Sequence, residues 1–133
     1  MNKNVLVLGA VFGGLSVVFG AFAAHGLKDL ISADSVKIFE TGVRYQMYHA
    51  LLLICVGSST ILQEKTKQIL FYIVLTGVLL FSGSIYGLAT NSLTQFDFKT
   101  IGFVTPIGGL FLISAWVLLL IKFLKNKVDI SKN

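Results

Sequence analysis

The sequence is poor in the residues from which soluble active sites are built. It has one cysteine, Cys55, one proline, Pro106, and two histidines, His25 and His49. A single cysteine excludes an intrachain disulfide and a C-x-x-C site. Two histidines are too few to close a zinc site, so no metal and no cofactor is expected. Acidic residues number six, and none of them falls inside an apolar run. No span therefore carries a mid-membrane carboxylate for coupling a proton or cation, and Ser82 and Ser84 lack a carboxylate partner for nucleophilic catalysis. Charged residues make up 13% of the chain, about half of the ~25% usual in soluble domains.

Apolar residues fill that gap. They account for 55% of the 133 residues, and the mean hydropathy is +0.83. Residues 5–24 contain no charge; twenty residues at 1.5 Å each cover about 30 Å, the thickness of a bilayer core. Further runs cover residues 45–62, 69–90 and 101–121. Backbone groups in hydrocarbon must be satisfied within their own segment, so such runs are expected to be helices. The fold class is all-α: a single domain, residues 1–133, forming a polytopic four-transmembrane-helix bundle. Lys3, the first apolar run and "AFAA" together resemble a secretory signal, but the run exceeds the usual ~7–15 residue signal core, so it reads as a span.

The placement of basic residues gives orientation. With four spans, Lys3, Lys65, Lys67, Lys122, Lys125, Lys127 and Lys132 share one side, while Lys28, Lys37, Arg44 and Lys99 lie opposite among Asp29, Asp34, Glu40 and Asp97. Both termini are expected in the cytoplasm. The net charge of +5 is then explained by topology, with the C-terminal tail beside anionic lipid, and nucleic acid is not needed as a partner. The tight turn "QEKTKQ" joins the second and third runs.

Between the first two runs, Val36, Phe39, Val43 and Met47 share one helical face, opposite Lys37, Glu40, Thr41 and Arg44. Residues 34–45 are expected as an amphipathic helix on the outer surface, capped by Ser32 or Asp34 and carrying a Glu40–Arg44 pair. It joins the second span directly or through a bend at Gly42. Cys55 is expected to pack as a small hydrophobe. Pro106 fits the first position of a helix capped by Thr105, or else a kink in a longer helix.

Small residues let membrane helices approach closely. Gly9, Gly13 and Gly20 on the first span, Gly83 and Gly87 on the third, and Gly109 on the fourth are the expected packing positions. By depth, His25, Arg44, Gln46, Tyr48, His49, Ser82, Ser84, Tyr86 and Thr105 all gather toward the outer half. Intramembrane polar groups are functional candidates, so these residues form a candidate polar cluster. It is either a lock that holds the bundle or a ligand site.

The stretches "GAFAAHGL", "FETGVRYQMYHALLL", "FSGSIYGL" and "TPIGGLFLISAW" resemble the blocks of a family of small bacterial inner-membrane proteins, domain of unknown function 423, with YwdK-like and YgdD-like members. Ala23 stands where that family often has glycine. The resemblance implies a multi-pass plasma-membrane protein with no established catalysis and no catalytic residues to carry over. Three functions remain open. The leading one is a non-enzymatic protein of membrane or envelope homeostasis that binds membrane lipids or another membrane protein. The others are a small transporter or channel assembled as a homo-oligomer, and an intramembrane binder of haem or quinone through His25 and His49.

Overall fold

Apolar stretches too long for a globular core close their backbone hydrogen bonds on themselves, and the chain is helical throughout its ordered elements. The computed structural model describes residues 1–126; Lys127, Lys132 and most of the tail expected beside anionic lipid lie outside the described residues. Four helices follow in order: α1 (Lys3–His25), α2 (Ala33–Ser58), α3 (Glu64–Ala89) and α4 (Val104–Lys125). Single 3-10 turns fill the connections at Leu27–Asp29, Asn91–Leu93 and Phe98–Ile101. Side chains start the helices. Asn2 Oδ1 accepts from the Val5 N–H at 3.2 Å, and Ser32 Oγ accepts from the Ser35 N–H at 3.1 Å, so the cap of α2 is Ser32 and not Asp34.

α1, α3 and α4 are long and apolar enough to cross a membrane. α2 has the length but carries Asp34, Lys37, Glu40 and Arg44 in its first half. Those residues were expected on an outer-surface helix that feeds into the second span. Instead, residues 33–58 form one unbroken helix, which runs alongside α1 rather than across its end. A constant antiparallel register shows this: Leu6 lies against Gly57, Gly9 against Ile54, Gly13 against Ala50 and Gly20 against Val43. Phe22 and Phe39 extend it, with ring centroids 6.3 Å apart. Each step along α1 is matched by an equal step back along α2.

Of the two joins left open, the direct one is found rather than the bend at Gly42, and this glycine serves contact. A Cβ there would lie 2.7 Å from Tyr86 Cε1, and the Gly42 carbonyl accepts from Ser82 Oγ at 2.7 Å. The expected Glu40–Arg44 pair does not form; Arg44 is exposed and its Nη2 donates to Thr41 Oγ1 at 3.0 Å. α2 stops at Ser58 rather than 62, where Ser59 Oγ takes the N–H groups of Ile61 and Leu62 at 3.1 and 3.3 Å.

α2 and α3 are central, with α1 packed mainly on α2 and α4 mainly on α3. The α3–α4 seam also keeps one register: Gly77 meets Leu112, Phe81 meets Gly108, and Ser84 meets Thr105. Thr105 is not a cap. α4 begins one residue earlier, its N-cap is Phe103, and the Thr105 hydroxyl is engaged with Ser84. Pro106 therefore sits in the first turn, where an absent N–H leaves no helical bond unmade.

The glycines divide by what faces them. Gly9 is tight, with Ala50 O 3.0 Å from a Cβ. Gly13, Gly20 and Gly109 are in ordinary contact distance, and Gly87 is covered by Phe98 from the loop rather than by a helix. Gly83 faces open space, so its role as a packing position is corrected. The closest approach is at Gly108, which the apolar pattern did not single out.

At the end of the bundle that holds Met1, a polar knot replaces the expected simple turn. Lys67 is only 2% exposed, and its Nζ lies 3.3 Å from Glu64 Oε1. Asn2 Nδ2 donates to Glu64 Oε2 at 3.0 Å, and the Asn2 N–H donates to Gly57 O at 3.0 Å. The bond from Asn2, then the one from Lys67, holds the Glu64 carboxyl below its ordinary range.

Candidate functional site

A glutamine at mid-depth in an apolar bundle is costly unless both ends of its amide are used. Gln46 is 4% exposed and uses both. Its Nε2 donates to Phe12 O at 2.9 Å, and its Oε1 accepts from Tyr86 OH at 2.6 Å. One side chain thus ties α2 to α1 and to α3. Phe12 O also accepts from Ser16 Oγ at 2.8 Å. Around the phenol, Phe19 and Phe39 supply aromatic walls at centroid distances of 5.4 and 4.7 Å.

One turn along α2, His49 is 3% exposed. Its Nδ1 lies 2.7 Å from Tyr45 O, and its Nε2 lies 3.2 Å from Trp116 Nε1. A carbonyl only accepts and an indole N–H only donates. The ring is therefore the neutral tautomer, with the proton on Nδ1 and the Nε2 lone pair taken by Trp116. This bond ties α2 to α4. Replacing Trp116 by phenylalanine strands that lone pair, and is expected to cost about 1 kcal/mol of stability. The double variant with His49→Leu is expected to cost less than the two single losses added, measured by unfolding in bicelles. Strict additivity would show that the contact carries nothing.

The remaining predicted residues separate into two groups. Ser82 and the Ser84–Thr105 pair, 2.6 Å apart, join the same set of interhelical bonds. Gln46, His49, Ser82, Ser84, Tyr86 and Thr105 thus supply separate interhelical bonds that together make a polar network across all four helices. His25, Arg44 and Tyr48 do not belong to it. His25 is exposed at the end of α1, Arg44 points outward, and Tyr48 is exposed and stacks edge-on with Tyr45 at 5.6 Å. The α1–α2 register sets His25 level with Ile38, roughly 16 Å along the axis from His49, a gap that one haem iron does not bridge. The network also sits deeper than the outer rim, since the same register sets His49 level with Gly14, near the centre of the first apolar run.

Trp116 was the partner missed. In the fourth apolar run only Thr105, Ser114 and Trp116 carry side-chain donors, and an indole N–H at membrane depth needs an acceptor. That was the available signal.

No buried side-chain nitrogen or oxygen lacks a hydrogen bond among the described residues. The polar network is closed on itself. Open space lies beside it. Leu52, Cys55, Val56, Ser59, Leu62, Trp116, Leu119, Leu120 and Phe123 line a groove of about 390 Å³ between α2 and α4, nearly all of it apolar. Cys55 is exposed on its wall, which corrects the expectation that it packs as a small hydrophobe. Past Trp116 the groove continues into a hollow of about 300 Å³ under Tyr45, His49 and Phe81.

The model of the protein family of unknown function DUF423 matches residues 19–109. Over 127 residues, 96% of this chain, it is 35% identical to a UPF0382 membrane protein of Haemophilus influenzae, covering 98% of that protein. It is 37% identical to the UPF0382 membrane protein YwdK of Bacillus subtilis, over 92% of this chain and 98% of that one. It is 33% identical to the UPF0382 inner membrane protein YgdD of Escherichia coli, over 95% and 93% of the two chains. No solved structure matches.

Proposed function

Because the chain belongs to the DUF423 family of membrane proteins of unknown function, we propose that it is a non-catalytic four-span protein that seats membrane lipid in the groove between α2 and α4. Packing supports the fourth crossing. α2 lies antiparallel along α1 in constant register, so a bilayer that encloses α1 encloses α2 as well. Arg44, pointing outward, reaches the interface by extending its stem. Both termini then face the cytoplasm with the larger share of the lysines.

The observation that carries the function is the contrast between a closed polar network and an open apolar groove. Transport needs polar groups able to exchange partners, and here Gln46, His49, Ser82 and Tyr86 are each committed to a protein atom. Haem ligation needs a free imidazole nitrogen, and both nitrogens of His49 are engaged. The groove opens sideways, is lined by leucine, valine and aromatic side chains, and falls in the size range of small-ligand sites. Holding lipid there, the protein supports membrane homeostasis as a binding scaffold.

Native mass spectrometry of protein extracted in mild detergent tests this. The wild type is expected to retain lipid, and Cys55→Phe, which fills the groove from an exposed position, is expected to lose it while keeping its helicity. Equal retention by both proteins, or none by the wild type, overturns the reading.

A further inference from the structure

We propose that the groove selects an anionic phospholipid of the cytoplasmic leaflet, with an acyl chain along α2 and α4 and its phosphate held by Lys122 and Lys125. This rests on the reading of the groove as a lipid seat and adds the identity of the headgroup. At the end of the bundle where α4 stops, the groove runs through Leu62 into a cleft of about 170 Å³ lined by Ile61, Leu62, Gln63, Thr66, Lys122, Lys125 and Asn126. The cleft contains two cations and no acid. Neither lysine forms an ion pair among the described residues.

Other donors face the same space. The cap residue of α3, Gln63, makes no side-chain bond to the first turn, so the N–H groups that open this 26-residue helix remain available to an anion. Buried Thr66 lines the cleft on that first turn. The opposite wall is anchored, because Asn126 Nδ2 donates to Ile61 O at 3.2 Å and fixes the end of α4 against the turn after α2.

Length agrees with a lipid. From Trp116 to Lys125 is nine residues of helix, about 14 Å, close to half of the ~30 Å hydrocarbon core. The apolar part therefore accommodates the chain depth of one leaflet, and its charged end falls at the headgroup level. An apolar helix from a second copy would cover the same wall but would leave two lysines desolvated without a counter-charge. A phosphate neutralises them through charge-assisted hydrogen bonds.

Trp116 is the chain's single tryptophan and lines the groove, so it reports occupancy. The full chain is reconstituted in phosphatidylcholine vesicles containing rising fractions of either phosphatidylglycerol or phosphatidylcholine brominated near the chain ends. The anionic lipid is expected to quench Trp116 with a saturable phase at about tenfold lower mole fraction than the zwitterionic one. Lys122→Gln with Lys125→Gln is expected to abolish that preference. Lys3→Gln with Lys65→Gln, exposed lysines outside the cleft, lowers net charge equally and is expected to preserve it.

Four results overturn the proposal. A saturable phase of equal strength for both lipids removes the headgroup assignment and leaves the groove reading standing, as does a preference that survives the cleft variant. A preference lost equally in the control variant attributes it to diffuse surface charge. Quenching that merely follows bulk lipid fraction, with no saturable phase for either lipid, removes the lipid seat itself and the headgroup with it. Unchanged helicity in all variants guards against unfolding as the cause.

Discussion

Alanine in place of Gly108 is expected to destabilise the bundle by about 3 kcal/mol, the upper end of the cost of overpacking. A Cβ at this position would lie 2.7 Å from the carbonyl carbon of Leu80 and 2.8 Å from Phe81 Cα. Those are backbone atoms of α3, and no rotamer change relieves the collision. The helices must separate, which also stretches the Ser84–Thr105 bond one turn away. At Gly77 the nearest atom is Cδ2 of Leu112, a side chain able to turn, so Gly77→Ala is expected to cost less. Gly83→Ala meets nothing within 4 Å and gains helix propensity, so it is expected to be neutral or stabilising by up to about 1 kcal/mol. Reversible unfolding in bicelles ranks the three. Equal stability of the Gly108 and Gly83 variants would mean that α3 and α4 are not this close.

Gln46→Leu is the second large effect, with an expected loss of about 2 kcal/mol. Leucine matches the volume but removes the donor to Phe12 O and the acceptor for Tyr86 OH. The Phe12 carbonyl keeps the Ser16 hydroxyl as a partner, whereas the phenol, walled by Phe19 and Phe39, loses its acceptor. Most of the loss is therefore assigned to Tyr86. Tyr86→Phe alone is expected to cost about 1 kcal/mol, and the double variant less than the two losses combined, because an absent hydroxyl cannot be left unpaired. Losses that simply add would show that the 2.6 Å bond contributes nothing.

These effects indicate what was legible in the sequence. Spans 1, 3 and 4 are readable because hydrocarbon thickness selects uninterrupted apolar runs, and α1, α3 and α4 follow them. α2 resists that logic. Its polar residues in the first half read as a surface helix, yet Gly42 and Gln46 turn into the bundle while Lys37 and Arg44 turn out. Hydropathy averages over both faces and does not see the division. The membership of the polar network was half visible: depth brought Gln46, His49, Ser82 and Tyr86 together, but depth alone does not tell an inward ring such as His49 from an exposed one such as Tyr48. Gly108 and Gly109 are adjacent and chemically identical, and only the α3–α4 register distinguishes them. The Asn2–Glu64–Lys67 knot was hidden because Asn2 lies 62 residues from Glu64, and a buried lysine is indistinguishable on paper from a solvated one.

The central claim is that α2 crosses the bilayer beside α1, with Gln46 and His49 satisfied within the bundle. Substituted-cysteine labelling tests it most directly. In intact cells, with Cys55 replaced by serine, single cysteines are placed at the exposed positions Lys37 and Lys65 and challenged with a membrane-impermeant maleimide. The account predicts that position 37 reacts at once and that position 65 reacts only after permeabilisation. Reaction of both positions from the same side would place the two ends of α2 on one face of the membrane and contradict it.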